Sequence, residues 1–145
     1  MHHAEGPKLR RCIIPTEVRP RTTEGIQLAR DFAIDAARLA SETRGHNIAV
    51  LDVSGLSPVT DFYVIITGTS ARQMRAVADE IVDFGKTRGF RPLHATGQES
   101  STWILADCID VVIHVFTQES RAFYDLDGLW ADAPRVEWEL PKVPA

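Results

Sequence analysis

The chain has 145 residues, 44% hydrophobic and 25% charged, the size and make-up of a single globular domain able to bury its own core. No apolar run approaches the ~20 residues of a membrane-spanning helix, and the two cysteines, Cys12 and Cys108, match no disulfide framework, zinc or thioredoxin spacing. Met1-His2-His3-Ala4-Glu5 lacks the apolar stretch of a secretory signal, so a reducing, cytoplasmic setting is expected. The net charge of −4 is unevenly spread: residues 1–22 carry Lys8, Arg10, Arg11, Arg19 and Arg21 against Glu5 and Glu17, whereas residues 99–139 carry nine acids against Arg121 and Arg135. Such an acidic surface repels phosphate backbones and suits a basic partner, which argues against direct nucleic-acid binding by the domain.

Residues 1–22 hold Pro7, Pro15 and Pro20 and show no sustained periodicity, and they read as a flexible basic extension. The domain proper is expected over 23–134, with a C-terminal tail over 135–145. Thr23 opens a helix that runs to about Arg44 and stops at Gly45. Its apolar stripe is Leu28, Phe32, Ala36 and Leu39, with Ala29, Ala33 and Ala40 beside it. Strands are expected over 48–53 and 62–67, separated by the breaker Ser54-Gly55-Leu56-Ser57-Pro58. Ser70 and Gln73 have the spacing of a capping box and open a second helix with Met74, Val77, Ala78 and Ile81 as its apolar stripe. Three further strands follow over 91–95, 103–106 and 111–116. Thr117 then caps a last helix that runs through Tyr124 towards Trp130 and closes at Asp132-Ala133-Pro134. The order α-β-β-α-β-β-β-α predicts an α/β fold, a mixed five-stranded sheet with flanking helices.

The stretch from Trp103 to Phe116 is the most informative. With Cys108 and Ile109 as a two-residue turn, Asp107 faces Asp110, Leu105 faces Val112 and Trp103 faces His114, and Phe116 shares their face. The opposite face, Ile104, Ala106, Val111, Ile113 and Val115, is wholly apolar and reads as core. The first face mixes a Trp, a His and two acids with apolar residues. It is a candidate contact surface, on which Trp103 supplies buried area and Asp107 and Asp110 select a basic partner. The alternative is that Trp103 lies under a helix with its indole N–H hydrogen-bonded.

Catalytic signals are weak. The glycines fall at no phosphate-loop spacing, and His46, His94 and His114 include no pair at metal-ligand spacing, so neither a metal nor a cofactor is expected. Cys108, His114 and Asp110 can be cast as a nucleophile triad, but two of them lie on one strand and its turn with no oxyanion donor in view. Gly68-Thr69-Ser70 marks a strand-to-helix junction, a candidate anion site at a helix N-terminus, and a Gly-Ser pair there is similar to the opening of nucleotidyltransferase sites. Such sites need strand carboxylates for magnesium, whereas the next acids, Asp79, Glu80 and Asp83, fall on the second helix. A nucleotide-binding or vestigial nucleotidyltransferase domain using Gly68, Ser70 and Asp61 is the alternative function.

Read together, Leu51-Asp52-Val53-Ser54, Thr60-Asp61-Phe62-Tyr63-Val64-Ile65, Gly68-Thr69-Ser70-Ala71-Arg72-Gln73, Ala78-Asp79-Glu80, Trp103-Ile104-Leu105-Ala106-Asp107, Asp110-Val111-Val112-Ile113-His114-Val115-Phe116 and Phe123-Tyr124-Asp125-Leu126 to Leu129-Trp130 resemble the ribosomal silencing factor S, or Iojap, family, in order from about residue 26 to residue 134. The resemblance implies a nucleotidyltransferase-like fold without transferase activity. It also implies binding to ribosomal protein fourteen of the large subunit, steric block of small-subunit joining under nutrient limitation, and a homodimer when free. The family's partner-contact Trp falls on Trp103, which makes Trp103, Leu105, Asp107, Asp110, His114 and Tyr124 the candidate partner-binding residues. Family members often carry Gly where this chain has Ile109, and the basic extension has no family counterpart.

Overall fold

Thr22 Oγ1 accepts the N–H of Gly25 at 2.9 Å, satisfying one of the free donors of a helix start. From it runs α1 (Thr23–Glu42) of the computed structural model, which describes residues 22–90, the backbone of 94–96, and residues 102–140. The extension over 1–21 lies outside the described residues. The buried stripe of α1 is Ala29, Phe32, Ala33, Ala36, Ala37 and Ala40, five alanines around one phenylalanine, and the alanines let the helix lie close to the sheet. Leu28, expected in that stripe, is instead 62% exposed, because its position falls about 100° round the helix from the stripe's centre.

β1 (His46–Asp52), β2 (Phe62–Thr67), α2 (Ala71–Thr87), β3 (His94–Thr96), β4 (Trp103–Asp107), β5 (Val111–Phe116), α3 (Gln118–Tyr124) and α4 (Leu126–Leu129) follow. The strand order is β1-β2-β5-β4-β3. Four strands of five to seven residues carry the sheet, and the three-residue β3 extends one edge. Of the strand expected over 91–95, residues 91–93 lie outside the described residues. β2 pairs parallel with β5 and every other pairing is antiparallel, so the sheet is mixed. Every residue of β2 and β5 is buried, as a parallel pair at the centre of a sheet covered on both faces requires. One face packs Val64, Ile66, Ile104, Ile113 and Val115 against α1 and α2. The other gathers Tyr63, Ile65, Leu105, Val112 and Phe116 under Trp103, Tyr124, Leu126 and Trp130. Among the described residues no helix is long and apolar enough to cross a membrane.

The start of α2 is tightly determined. Ser70 Oγ accepts the Gln73 N–H at 3.1 Å, Gln73 Oε1 accepts the Thr69 N–H at 2.9 Å, and Gln73 Nε2 donates to Thr43 O at 2.8 Å. Gln73 therefore closes a cap and ties α2 to the end of α1. A Cβ on Gly68 would stand 2.3 Å from Met74 Cγ, so only glycine fits there.

At the far end of the chain, residues 133–138 close the outer edge of β1. Asp52 N–H donates to Pro134 O at 2.9 Å, Val136 N–H to Val50 O at 2.8 Å, and Trp138 Nε1 to Ile48 O at 3.2 Å. Residues 135–138, assigned from the sequence to a tail, thus cover backbone groups that an open sheet edge would leave unpaired. The single last helix expected from Thr117 towards Trp130 is two helices. They break at Asp125, whose φ of 50° ends α3 and whose side chain caps α4 by accepting the Gly128 N–H at 3.1 Å.

The β4–β5 hairpin corrects the expected register. Trp103 pairs with Phe116, Leu105 with His114 and Asp107 with Val112, and the Cys108 N–H donates to Val111 O at 2.9 Å. Ile109 and Asp110, rather than Cys108 and Ile109, form the two-residue turn. Each pairing moves by two residues, so the facial sorting of side chains survives, but Asp107 and Asp110 no longer oppose each other. The turn is held by the Asp110 N–H donating to Cys108 O at 2.8 Å across Ile109, whose φ is 72°. This is the strained, positive-φ kind of γ-turn, a conformation that disfavours a β-branched residue. Asp107 Oδ1 offsets part of the strain by accepting the Ile109 N–H at 2.9 Å. Ile109→Gly is expected to raise the unfolding free energy by about 1 kcal/mol through a higher urea midpoint at unchanged slope; a midpoint lowered by as much would mean that side-chain packing of Ile109 outweighs backbone strain.

Candidate partner-docking surface

The face of the sheet opposite α1 and α2 carries a continuous aromatic group. β4 and β5 bring Trp103 against Phe116 with ring centroids 4.9 Å apart, and α3 lays Tyr124 over Trp103 at 4.5 Å. His114 stands 5.3 Å from Tyr63 and 5.8 Å from both Trp103 and Phe116. Trp130, just past α4, reaches Tyr63 at 5.5 Å. Phe123 meets Tyr124 edge to face at 5.0 Å yet is 78% exposed, and Leu129 on α4 is 72% exposed. The two short helices that cover this face thus each leave one large apolar side chain in water, and Phe123 does so directly against the aromatic platform.

His114 organises the platform from within. It is 2% exposed, and burial drives its pKa down to about 3 from 6.5, so the ring is neutral. Its Nδ1 accepts the Trp103 indole N–H at 3.1 Å, which leaves the proton on Nε2, an atom with no hydrogen-bond partner among the described residues. Trp103 is half-buried with its indole N–H spent internally, as in the alternative weighed from the sequence. The part it offers outward is ring surface.

The other expected site residues separate. Leu105 is fully buried in the second core. Asp107 is 1% exposed and serves the turn described above. Asp110 is half-buried in that turn, which sits at the end of the hairpin away from Trp103, roughly 13 Å along β4. Asp107 and Asp110 therefore do not flank the indole. The exposed acids nearest the platform in the chain are Glu119, Asp125 and Asp132. Glu119 lies one turn before Phe123 on the same side of α3. Tyr124 is half-buried against Trp103. Phe123, Leu129 and Trp130 were not singled out from the sequence as contact residues, although the adjacent pair Phe123-Tyr124 carried the signal. Neighbouring residues on a helix point about 100° apart, so only one of two consecutive aromatics can face the sheet.

The catalytic readings fail on geometry. Cys108 packs with the core on the α1–α2 side and His114 with the opposite face, so no triad forms. Burial, with the Asp107 charge second, pushes the Cys108 thiol up to about 12. Asp61 precedes β2 whereas Gly68 and Ser70 follow it, roughly 20 Å away. Gly68 lines an open cleft of about 900 Å³ with His46, Thr67, Thr69 and Thr117, but the Thr69 and Gln73 amides are already bonded within the cap. Among the described residues no three His, Cys, Asp or Glu side chains gather as metal ligands.

The chain is similar to known proteins over most of its length. The family model described as "Ribosomal silencing factor during starvation" matches residues 26–145. The protein named ribosomal silencing factor RsfS of Bacillus subtilis is 38% identical over 105 residues, covering 72% of this chain and 89% of that one. Protein Iojap, chloroplastic, of Zea mays is 34% identical over 106 residues, covering 73% of this chain and 46% of that one. A crystal structure from Chromobacterium violaceum superposes with a TM-score of 0.66 at 31% identity, covering 80% of this chain and 93% of that one.

Neutral, buried His114 has a consequence for stability. As pH falls below 6.5 the unfolded chain takes a proton that the folded ring refuses until about 3, so stability is lost through that window at up to about 1.4 kcal/mol per pH unit. Between pH 7 and pH 5 the wild type should lose roughly 2 kcal/mol more than His114→Phe, which cannot titrate. Urea unfolding of both proteins at the two pH values checks this, and parallel losses would show that His114 is not held neutral.

Proposed function

Because the chain belongs to the ribosomal silencing factor family, RsfS, we propose that it represses translation by docking on ribosomal protein fourteen of the large subunit. Its own bulk then keeps the small subunit from joining, and this lowers translation when nutrients are scarce. The observation that carries the docking surface is exposed Phe123 against the Trp103–Tyr124–Phe116 platform, with Leu129 exposed on the adjoining α4. Large apolar side chains at the centre of an interface supply most of its binding energy. Glu119, Asp125 and Asp132 are exposed on the same stretch of chain, and their negative charge suits a basic ribosomal protein and speeds its approach. The mechanism is steric and non-enzymatic, the fold is read as nucleotidyltransferase-like without transferase chemistry, and the setting as cytoplasmic. The separation of Asp61 from Gly68 and Ser70 supports that reading over the nucleotidyltransferase alternative. A homodimer of the free chain is also part of the reading, with a doubled mass in sedimentation equilibrium as its sign.

Co-sedimentation of the full chain with separated ribosomal subunits tests the proposal. Wild-type protein is expected to travel with the large subunit and not the small one. Phe123→Ser should weaken that association by about 2 kcal/mol or more while leaving the melting temperature within about 2 °C, because the side chain is already in water. Equal binding by Phe123→Ser would remove α3 from the docking surface. A shift of bare ribosomal RNA by residues 23–145 at physiological salt would contradict the protein-directed reading.

A further inference from the structure

α3 and α4 have seven and four residues and bury none of them, so neither could hold its place by helix propensity or core insertion alone. Beside the packing of Tyr124, Leu126 and Trp130, one side chain ties both helices to the sheet. Arg121 grips Asp127 in a bidentate ion pair, Nε to Oδ2 at 2.9 Å and Nη2 to Oδ1 at 3.1 Å. Its remaining nitrogen, Nη1, donates to Thr67 Oγ1 at 2.9 Å and to the Asn47 carbonyl. One planar fork thereby joins α3, α4, the last residue of β2 and the irregular start of β1, where Asn47 has a φ of 48°. The Arg121 side chain is only 14% exposed. Arg135 also approaches Asp127, at 3.6 Å, but its side chain is 62% exposed, and it meets the sheet through its backbone, as a bridge to Leu51.

Phe123 and Leu129 each lie two residues beyond a member of this pair, which on a helix is about 200° round the axis. Whatever turns Arg121 and Asp127 towards the sheet turns Phe123 and Leu129 away from it. We propose that Arg121 is a positioning residue for docking: by clamping Asp127, Thr67 and the Asn47 carbonyl it sets the tilt of α3 and α4 and hence the presentation of Phe123 and Leu129. This inference rests on the docking reading above. A lysine could keep the charge but not the four-way geometry, since its ammonium lacks the rigid fork.

The test uses the full chain with Arg121→Met, Arg121→Lys and Asp127→Asn. Each is examined at a temperature where circular dichroism shows it fully folded, by hydrogen exchange and by co-sedimentation with large subunits. In Arg121→Met the amides of residues 119–130 should exchange about tenfold faster or more, with those of β2 and β5 unchanged. The apparent Kd for the subunit should rise about tenfold or more, with Arg121→Lys showing only partial recovery. A merely structural role would lower the melting temperature yet leave docking of the folded protein intact. If Arg121→Met does not fold, Asp127→Asn, which keeps the side-chain size and the contacts to the sheet, carries the same expectation at smaller amplitude. Wild type that leaves the subunit unoccupied overturns the docking reading and this inference with it. Wild type that binds while the folded variants bind equally well overturns this inference alone.

Discussion

The parallel pairing of β2 with β5 governs the molecule. Both strands are buried along their whole length, so both faces of the sheet must be covered, and each pair of helices has one face to serve. The connection from β2 to β5 accommodates α2, β3 and β4, and α1 joins α2 to seal one face with a stripe of alanines around Phe32. What remains for the second face is the chain after β5, and it supplies only two short helices and the segment leading to Trp130.

That imbalance is where function becomes visible. A face sealed by long amphipathic helices has no apolar surface to spare, whereas one sealed by helices of seven and four residues is completed by aromatic stacking and by polar fastening. Trp103 shows the division of labour. Its indole N–H is satisfied inside by His114, and its ring supports Tyr124, which in turn leaves Phe123 outside. The same economy explains why a neutral histidine occupies the middle of an aromatic cluster. It is an acceptor for the indole that fills the space of an aromatic ring, and burial keeps it uncharged. The carboxyl of Asp127, lowered chiefly by the hydrogen bonds from Arg121, keeps the polar fastening in its charged form further into the acid range than an ordinary aspartate would.

Much of this was legible in the residues. Ser70 and Gln73 marked a helix start, and alternation from Trp103 to Phe116 sorted the two faces of the hairpin, because side-chain period depends only on local backbone geometry. The turn was misplaced by one residue, since neither Cys108 nor Ile109 is a residue that tight turns favour and Asp110 fits a turn in either register. A γ-turn bearing a β-branched residue at a φ of 72° has no sequence signature. That single shift kept the faces but moved Asp107 from a charged rim to a buried bond within the turn.

The sequence by itself determined the family, the order and nature of the elements up to the break in the last helix, the composition of the two faces, and the acidic character of residues 99–139. These follow from periodicity, capping chemistry and charge, all of which act over a few neighbouring residues. Only the tertiary structure decided which of those residues meet water. Leu105 and His114 disappear under the aromatic layer that Trp103, Tyr124 and Trp130 complete, and Asp107 disappears into the hairpin turn, where it accepts the Ile109 N–H. Phe123 and Leu129 emerge because Arg121 binds partners as remote in the chain as Asn47 and Thr67. Burial and exposure at such a surface depend on contacts between segments far apart in sequence, and no local pattern encodes them.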